Sequence, residues 1–272
     1  MLITSNYLQS FVIGVCIGSF LNVVVYRLQN ELSIIKPRSF CPKCKTQLTW
    51  RENIPLISYL IQRGKCVNCN VSIPLRYPLI EFITGILFAV FVKSSPTFYG
   101  ISSNLSLNIF FGWLFLSLLI CITLIDIDSF WIPQGLINFG FITGVLGLIF
   151  IGLFDNRNVD LYLLIKGLST SVASFFIFES LRYFSKICFK KDALGKGDSK
   201  LVAMLGLWLG PFGILFAVSI SYIFAAIYCL VGFSINLVRS GQVIPFAPFL
   251  SLGGLFIWFL GNEFIFEKIL RF

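Results

Sequence analysis

Two aspartates and four cysteines stand at spacings that can do chemistry. Asp126 follows the apolar run 107–125 directly, with Asp128 two residues on. Asp198 closes Gly195-Lys196-Gly197-Asp198, just ahead of an apolar stretch that begins at Leu201. Carboxylates at a membrane edge are costly, so they default to a functional reading. Two of them around one water can act as general base and general acid in a hydrolysis. Residues two apart on a helix point to nearly opposite sides, so Asp126 and Asp128 cannot both face one site. The glycines beside Asp198 permit positive φ and a close approach of substrate backbone. The structural alternatives are a helix N-cap for Asp198 and a solvated helix end for Asp126 or Asp128.

Cys41-Pro42-Lys43-Cys44 and Cys66-Val67-Asn68-Cys69 form two CxxC knuckles separated by 21 residues. Two such knuckles supply four thiolates for a tetrahedral zinc ion. All four positions are sulfur, which leaves no open site. The metal is therefore expected to be structural and to staple a loop with little core of its own. A pair of disulfides is the rival reading, disfavoured in a reducing compartment. Cys16, Cys121, Cys188 and Cys229 are scattered in or near apolar runs and read as small buried hydrophobes.

The chain contains no histidine. That excludes Ser-His and Cys-His catalysis and any His-ligated metal, and leaves acid–base work to Asp, Glu, Lys, Tyr or Cys.

The elements that position these groups are membrane helices. Of 272 residues 57% are hydrophobic and 12% charged, where soluble domains carry about 25% charged residues. Spans are expected at 7–25, 79–93, 107–125, 134–154, 161–181 and 246–262. The stretch 200–238 is too long for one span. Gly210-Pro211-Phe212-Gly213 breaks it into a short helix near 200–209 and a span near 213–238, about eight spans in all. Residues 1–25 lack the basic n-region and small-residue cleavage site of a signal peptide.

The net charge of +9 would suggest nucleic acid in a soluble domain. Here the basic residues lie between apolar runs instead. Segment 27–77 carries nine Lys and Arg, and segment 182–200 six, whereas 1–6 and 94–106 carry none. The positive-inside rule puts both basic segments in the cytosol and the N-terminus outside. Alternation then places 126–133 and 239–245 on the cytosolic side and the C-terminus outside, where Lys268 and Arg271 are balanced by Glu263 and Glu267. The expected organisation is a first span at 1–26, a cytosolic zinc loop at 27–78 and a membrane-embedded core at 79–272. The fold class is an all-α polytopic membrane protein.

Nine pieces, in order, make the chain resemble the type IV prepilin peptidases, bacterial GxGD membrane aspartic proteases. Around the first two spans they are Gly18–Arg27, Cys41–Cys44, Asn53–Leu60, Arg63–Cys66 and Arg76–Glu81. Asp126–Pro133, Gly195–Leu201, Met204–Gly210 and Ile244–Phe249 follow. The resemblance implies a catalytic pair of one Asp six and seven residues ahead of an Ile-Pro step and one Asp in GxGD. That selects Asp126 and Asp198, with Asp128 and the flanking Gly195 and Gly197 in support. It also implies that the basic leader of a prepilin or pseudopilin is cut between Gly and Phe at the cytosolic face of the inner membrane. The new N-terminus would then be methylated from S-adenosylmethionine. The methyl-transfer region would be 27–77, with Gly64 beside Cys66 a candidate contributor.

Two positions depart from the family's habit: Lys196, commonly apolar, and Ser199, commonly Val, Phe or Ala. Lys196 either holds the neighbouring carboxylate ionised or reaches toward anionic headgroups. Two other readings compete. One is a non-enzymatic zinc-stapled membrane scaffold or transporter subunit. The other is an intramembrane protease of the presenilin type, which shares GxGD but has neither the knuckles nor the Asp-to-Ile-Pro spacing.

Overall fold

Long apolar runs without polar partners for their backbone must close their hydrogen bonds internally, and in lipid an α-helix does this. A computed structural model describes residues 2–94, 105–154, 160–189, 195–239 and 242–260. Lys190 and Lys191 of the second basic block, and the C-terminal charges from Glu263 to Arg271, lie outside the described residues. The described residues form α-helices and turns with no extended strand, only two isolated bridges. The chain divides into two compact units, Met1–Ser94 and Ser95–Phe272.

The first unit holds α1 (Leu2–Gln29), a short α2 (Ile57–Ile61) and α3 (Arg76–Ser94). Its second long helix packs on its first through small residues. A Cβ on Gly14 would come within 2.8 Å of the Gly85 Cα, and one on Gly18 within 2.8 Å of the Glu81 Cα. Small residues let membrane helices approach closely where lipid removes the hydrophobic drive. This contact sets α3 beside α1 and carries the unit to Ser94.

The second unit holds α4 (Leu105–Ser129), α5 (Gln134–Phe154), α6 (Asp160–Phe189), α7 (Lys196–Ser234) and α8 (Ala247–Leu260). Four helices are long and apolar enough to cross a membrane: Tyr7–Gln29, Ser106–Ser129, Leu161–Cys188 and Lys196–Ser234. Two apolar helices are shorter, Gln134–Phe150 and Ala247–Leu260. The expected spans fall on helices, with the end of 246–262 beyond the described residues. Helix α7 is broken as expected, at Gly210 (φ 73°, ψ 179°), followed by Pro211. This backbone conformation is one that essentially only glycine adopts.

The first arm of α7 is the centre of this unit: Asp198, Ser199 and every residue from Leu201 to Gly210 are buried, while Lys200 is exposed. Trp208 stacks on Phe115 of α4 (4.7 Å between centroids), both meet Trp258 of α8, and the Trp208 indole N–H donates to the Gly140 carbonyl at 2.9 Å. On the other side Gly206 lies against Thr170, Ser171 and Ser174 of α6. Around this buried arm, Leu161, Ile165, Val172 and Phe176 of α6 are exposed, as suits a lipid-facing helix.

Candidate functional site

Helix α4 ends at Ser129 because Phe130 takes a positive φ and Pro133 follows. That stop leaves Asp126 in the last turn, 5% exposed, while Asp128 is exposed. The backbone N–H of Ala247, first residue of α8, donates to Asp126 Oδ2 at 3.1 Å. A helix N-terminus aimed at a carboxylate favours its negative charge.

Asp198 sits in the first turn of α7 and is 7% exposed. Its Oδ2 accepts the Gly195 N–H at 3.1 Å, and its own N–H donates to the Gly195 carbonyl at 3.1 Å. Gly195, not Asp198, is therefore the N-cap: Asp198 stands at N3 and its carboxylate reaches back to the N-cap N–H, the N3 half of a capping box. The structure brings the two carboxylates together, so that the charge of Asp126 acts directly on Asp198.

The glycines serve differently from expectation. Gly195 has φ −68°, and Gly197 is not among the residues of positive φ. Their use is room. A Cβ on Gly197 would stand 3.0 Å from Cδ1 and 3.2 Å from Cβ of Ile132. One on Gly195 would stand 3.0 Å from Asp198 Oδ2. The GxGD segment thus lies directly against the Ile-Pro step that follows Asp126. Lys196 is exposed, and its ammonium acts on Glu179 of α6. Asp126 is the charged group that acts on Asp198.

Tyr222, on the second arm of α7, also feels the Asp198 charge. Its ring packs on Phe246 at 5.2 Å, next to the Ala247 N–H. Sequence reasoning missed Tyr222. The only signal was the break at Gly210, from which Asp198 and Tyr222 are equally distant along the chain.

The first unit carries a cluster of four cysteines that could hold a metal ion. The four Sγ atoms of Cys41, Cys44, Cys66 and Cys69 lie within 4.8 Å of one another. A zinc tetrahedron with Zn–S bonds of about 2.3 Å has edges of about 3.8 Å, and Cys41 Sγ to Cys69 Sγ is 3.9 Å. The two knuckles are built alike. Lys45 N–H donates to Cys41 O, and Asn70 N–H to Cys66 O, each at 2.9 Å, with Lys45 and Asn70 both at positive φ. Without a cation the thiols divide. Hydrogen bonds from Thr46 lower Cys44 to about 6. At Cys69 a backbone hydrogen bond from Val71 is outweighed by desolvation and the neighbouring thiols, which push it up to about 11. Four thiols this close suit a divalent ion better than protons. Gly64 has φ +67° and lies against the Tyr59 hydroxyl, where it turns the chain into the second knuckle.

The same unit encloses a cavity of about 410 Å³ whose walls include Ser19, Asn22, Tyr26, Arg27, Tyr59 and Glu81. Asn22 donates to the Tyr77 carbonyl at 3.1 Å, and Arg27 holds the carbonyls of Ser33, Ile34 and Pro37. Five motif pieces, Gly18–Arg27, Cys41–Cys44, Asn53–Leu60, Arg63–Cys66 and Arg76–Glu81, thus meet around one space.

Apolar helices long enough to cross a membrane, a buried pair of aspartates and four clustered thiols are the features that a membrane peptidase would need. Residues 12–94 match the Bacterial Peptidase A24 N-terminal domain, and residues 113–230 match the Type IV leader peptidase family. The chain belongs to the type IV leader peptidase family. It is 33% identical to a type 4 prepilin-like proteins leader peptide-processing enzyme of Escherichia coli, over 89% of each chain. It is 31% identical to a prepilin leader peptidase/N-methyltransferase of Neisseria gonorrhoeae, over 95% of this chain and 91% of that one. A similarly named protein of Myxococcus xanthus is 37% identical over 73% of this chain, which spans about half (55%) of that protein's length. No solved structure matches the chain.

Proposed function

We propose that the protein is a membrane aspartic endopeptidase that removes the basic leader of type IV prepilins or pseudopilins and then methylates the new N-terminus. The observation that carries the peptidase reading is the meeting of Asp126 and Asp198, each held by a backbone N–H. Two buried carboxylates that feel one another's charge resist ionising together and titrate as a pair. The ionised member takes a proton from a water between them. The protonated member donates to the scissile carbonyl oxygen, and the C–N bond breaks as the amine is protonated. Asp128, Gly195 and Gly197 support the pair, the glycines by the room they leave. The substrate is cut at a Gly-Phe junction on the cytosolic face of the inner membrane, with the N-terminus outside, as the distribution of basic residues supports.

Zinc, held by Cys41, Cys44, Cys66 and Cys69, would be structural. The methyl donor is S-adenosylmethionine, which supplies an electrophilic methyl group when bound. The cavity of the first unit fits such a molecule. Its volume of about 410 Å³ lies in the range of small-molecule sites, and Tyr26, Tyr59 and Tyr77 line it. The deciding experiment is cleavage of a synthetic prepilin by the purified chain, with Asp126→Asn and Asp198→Asn as controls. A wild-type chain that leaves the prepilin intact while folded would sink the peptidase reading.

A further inference from the structure

Glu81 is a charged side chain that the peptidase does not use. It is 8% exposed and lines the cavity of the first unit. Its Oε2 accepts the Leu56 N–H at 2.8 Å, and the Ser19 hydroxyl also bonds to it. Leu56 adopts φ 60°, ψ −50° to present that N–H, a sparsely populated conformation of the kind that collects at functional sites. No cation among the described residues pairs with Glu81. Arg27 and Lys43 line the same cavity, but the Arg27 guanidinium is engaged by the three carbonyls and neither cation acts on Glu81. A buried carboxylate without a cation is costly, and a cationic ligand would offset that cost.

The geometry points to Glu81 as the residue that binds the α-ammonium of the cut peptide and takes its proton when that nitrogen is methylated. This rests on the methyltransferase reading above. Peptide hydrolysis creates one new nitrogen group, an α-amine that is largely protonated at neutral pH. An ammonium has no lone pair to attack with. In the cavity R–NH3+ hands one proton to the Glu81 carboxylate and becomes R–NH2. The nitrogen lone pair then forms the N–CH3 bond as the S–CH3 bond of the sulfonium donor breaks, its electron pair returning to sulfur as a thioether. The product is R–NH2+–CH3, and Glu81 returns its proton to water.

The test uses the full chain in detergent and two peptides, one starting with Phe and a free N-terminus, the other its N-acetyl twin. Wild type is expected to bind the free peptide at least about tenfold more tightly, the size of one charge-assisted hydrogen bond. Glu81→Gln is expected to bind both alike and to lose methylation of the free peptide, while it keeps its zinc and its rate of prepilin cleavage. Merely structural damage would weaken both peptides equally and leave the preference. Glu81→Asp, which keeps the charge, is expected to keep part of the preference. A wild type with no preference overturns the inference, as does a Glu81→Gln chain that still prefers the free amine. A preference that vanishes in Glu81→Gln, in a chain that methylates nothing, upholds the amine site and sinks the methyltransferase reading alone.

Discussion

Asp198 and Tyr222 lie twelve residues on either side of Gly210, and the charge of the first acts on the second. A straight helix would hold them about 36 Å apart at 1.5 Å per residue. Helix α7 therefore doubles back at Gly210, and the return arm delivers Tyr222 and its partner Phe246 to the dyad. Gly210→Ala should cost about 1–3 kcal/mol, because φ 73°, ψ 179° is closed to a side chain. Thermal unfolding and prepilin cleavage should both fall. Gly135→Ala, where an added Cβ meets nothing within 4 Å, should leave both unchanged.

Asp126→Asn and Asp198→Asn should each lower leader cleavage by a factor of roughly 10²–10⁴, with the protein still inserted. Each keeps shape and removes a titrating oxygen. Asp128→Asn should retain measurable cleavage, since that residue is exposed where Asp126 is buried. An inactive Asp128→Asn beside an active Asp126→Asn would reverse the assignment.

Gly197→Ala should push Ile132 away and lower cleavage about tenfold, by displacing Asp198 from its partner. Adding Ile132→Ala makes space for the new methyl group. The double variant should recover part of the loss, a coupling expected only of residues in contact. Additive losses in cleavage rate would show that the two do not meet.

Metal analysis of freshly purified, reduced protein should find about one zinc per chain. Replacing Cys41 and Cys44 together by Ser removes two of four ligands and should release it. Segment 27–77 should then become protease-sensitive, as it should when a strong chelator strips the wild type. A zinc-free wild type with an intact loop would defeat the metal assignment.

Lys196→Met should leave the acid limb of the cleavage pH profile where it is in the wild type. The ammonium is exposed and acts on Glu179. A limb displaced to higher pH would show that Lys196 helps keep a catalytic carboxylate ionised.

Much of this protein was legible in its residues because the signals were local. Four cysteines in two knuckles announce a tetrahedral site within a short stretch of chain. Apolar runs of span length announce helices in lipid, since the backbone has no other way to close its hydrogen bonds there. Asp126 and Asp198 stood out as carboxylates beside such runs, and Gly210-Pro211 announced a break. Hydropathy, however, says which residues are apolar and not which side of a helix meets which neighbour. The Ala247 N–H on Asp126, the return of Tyr222 to Asp198 and the seat of Gly197 on Ile132 join segments far apart in the chain. So does the cavity that gathers Asn22, Tyr59 and Glu81. Those contacts are decided by how helices pack, through close approach at small residues and a reversal at one glycine. The sequence by itself determined the chemistry available, and the tertiary structure decided which groups share a site.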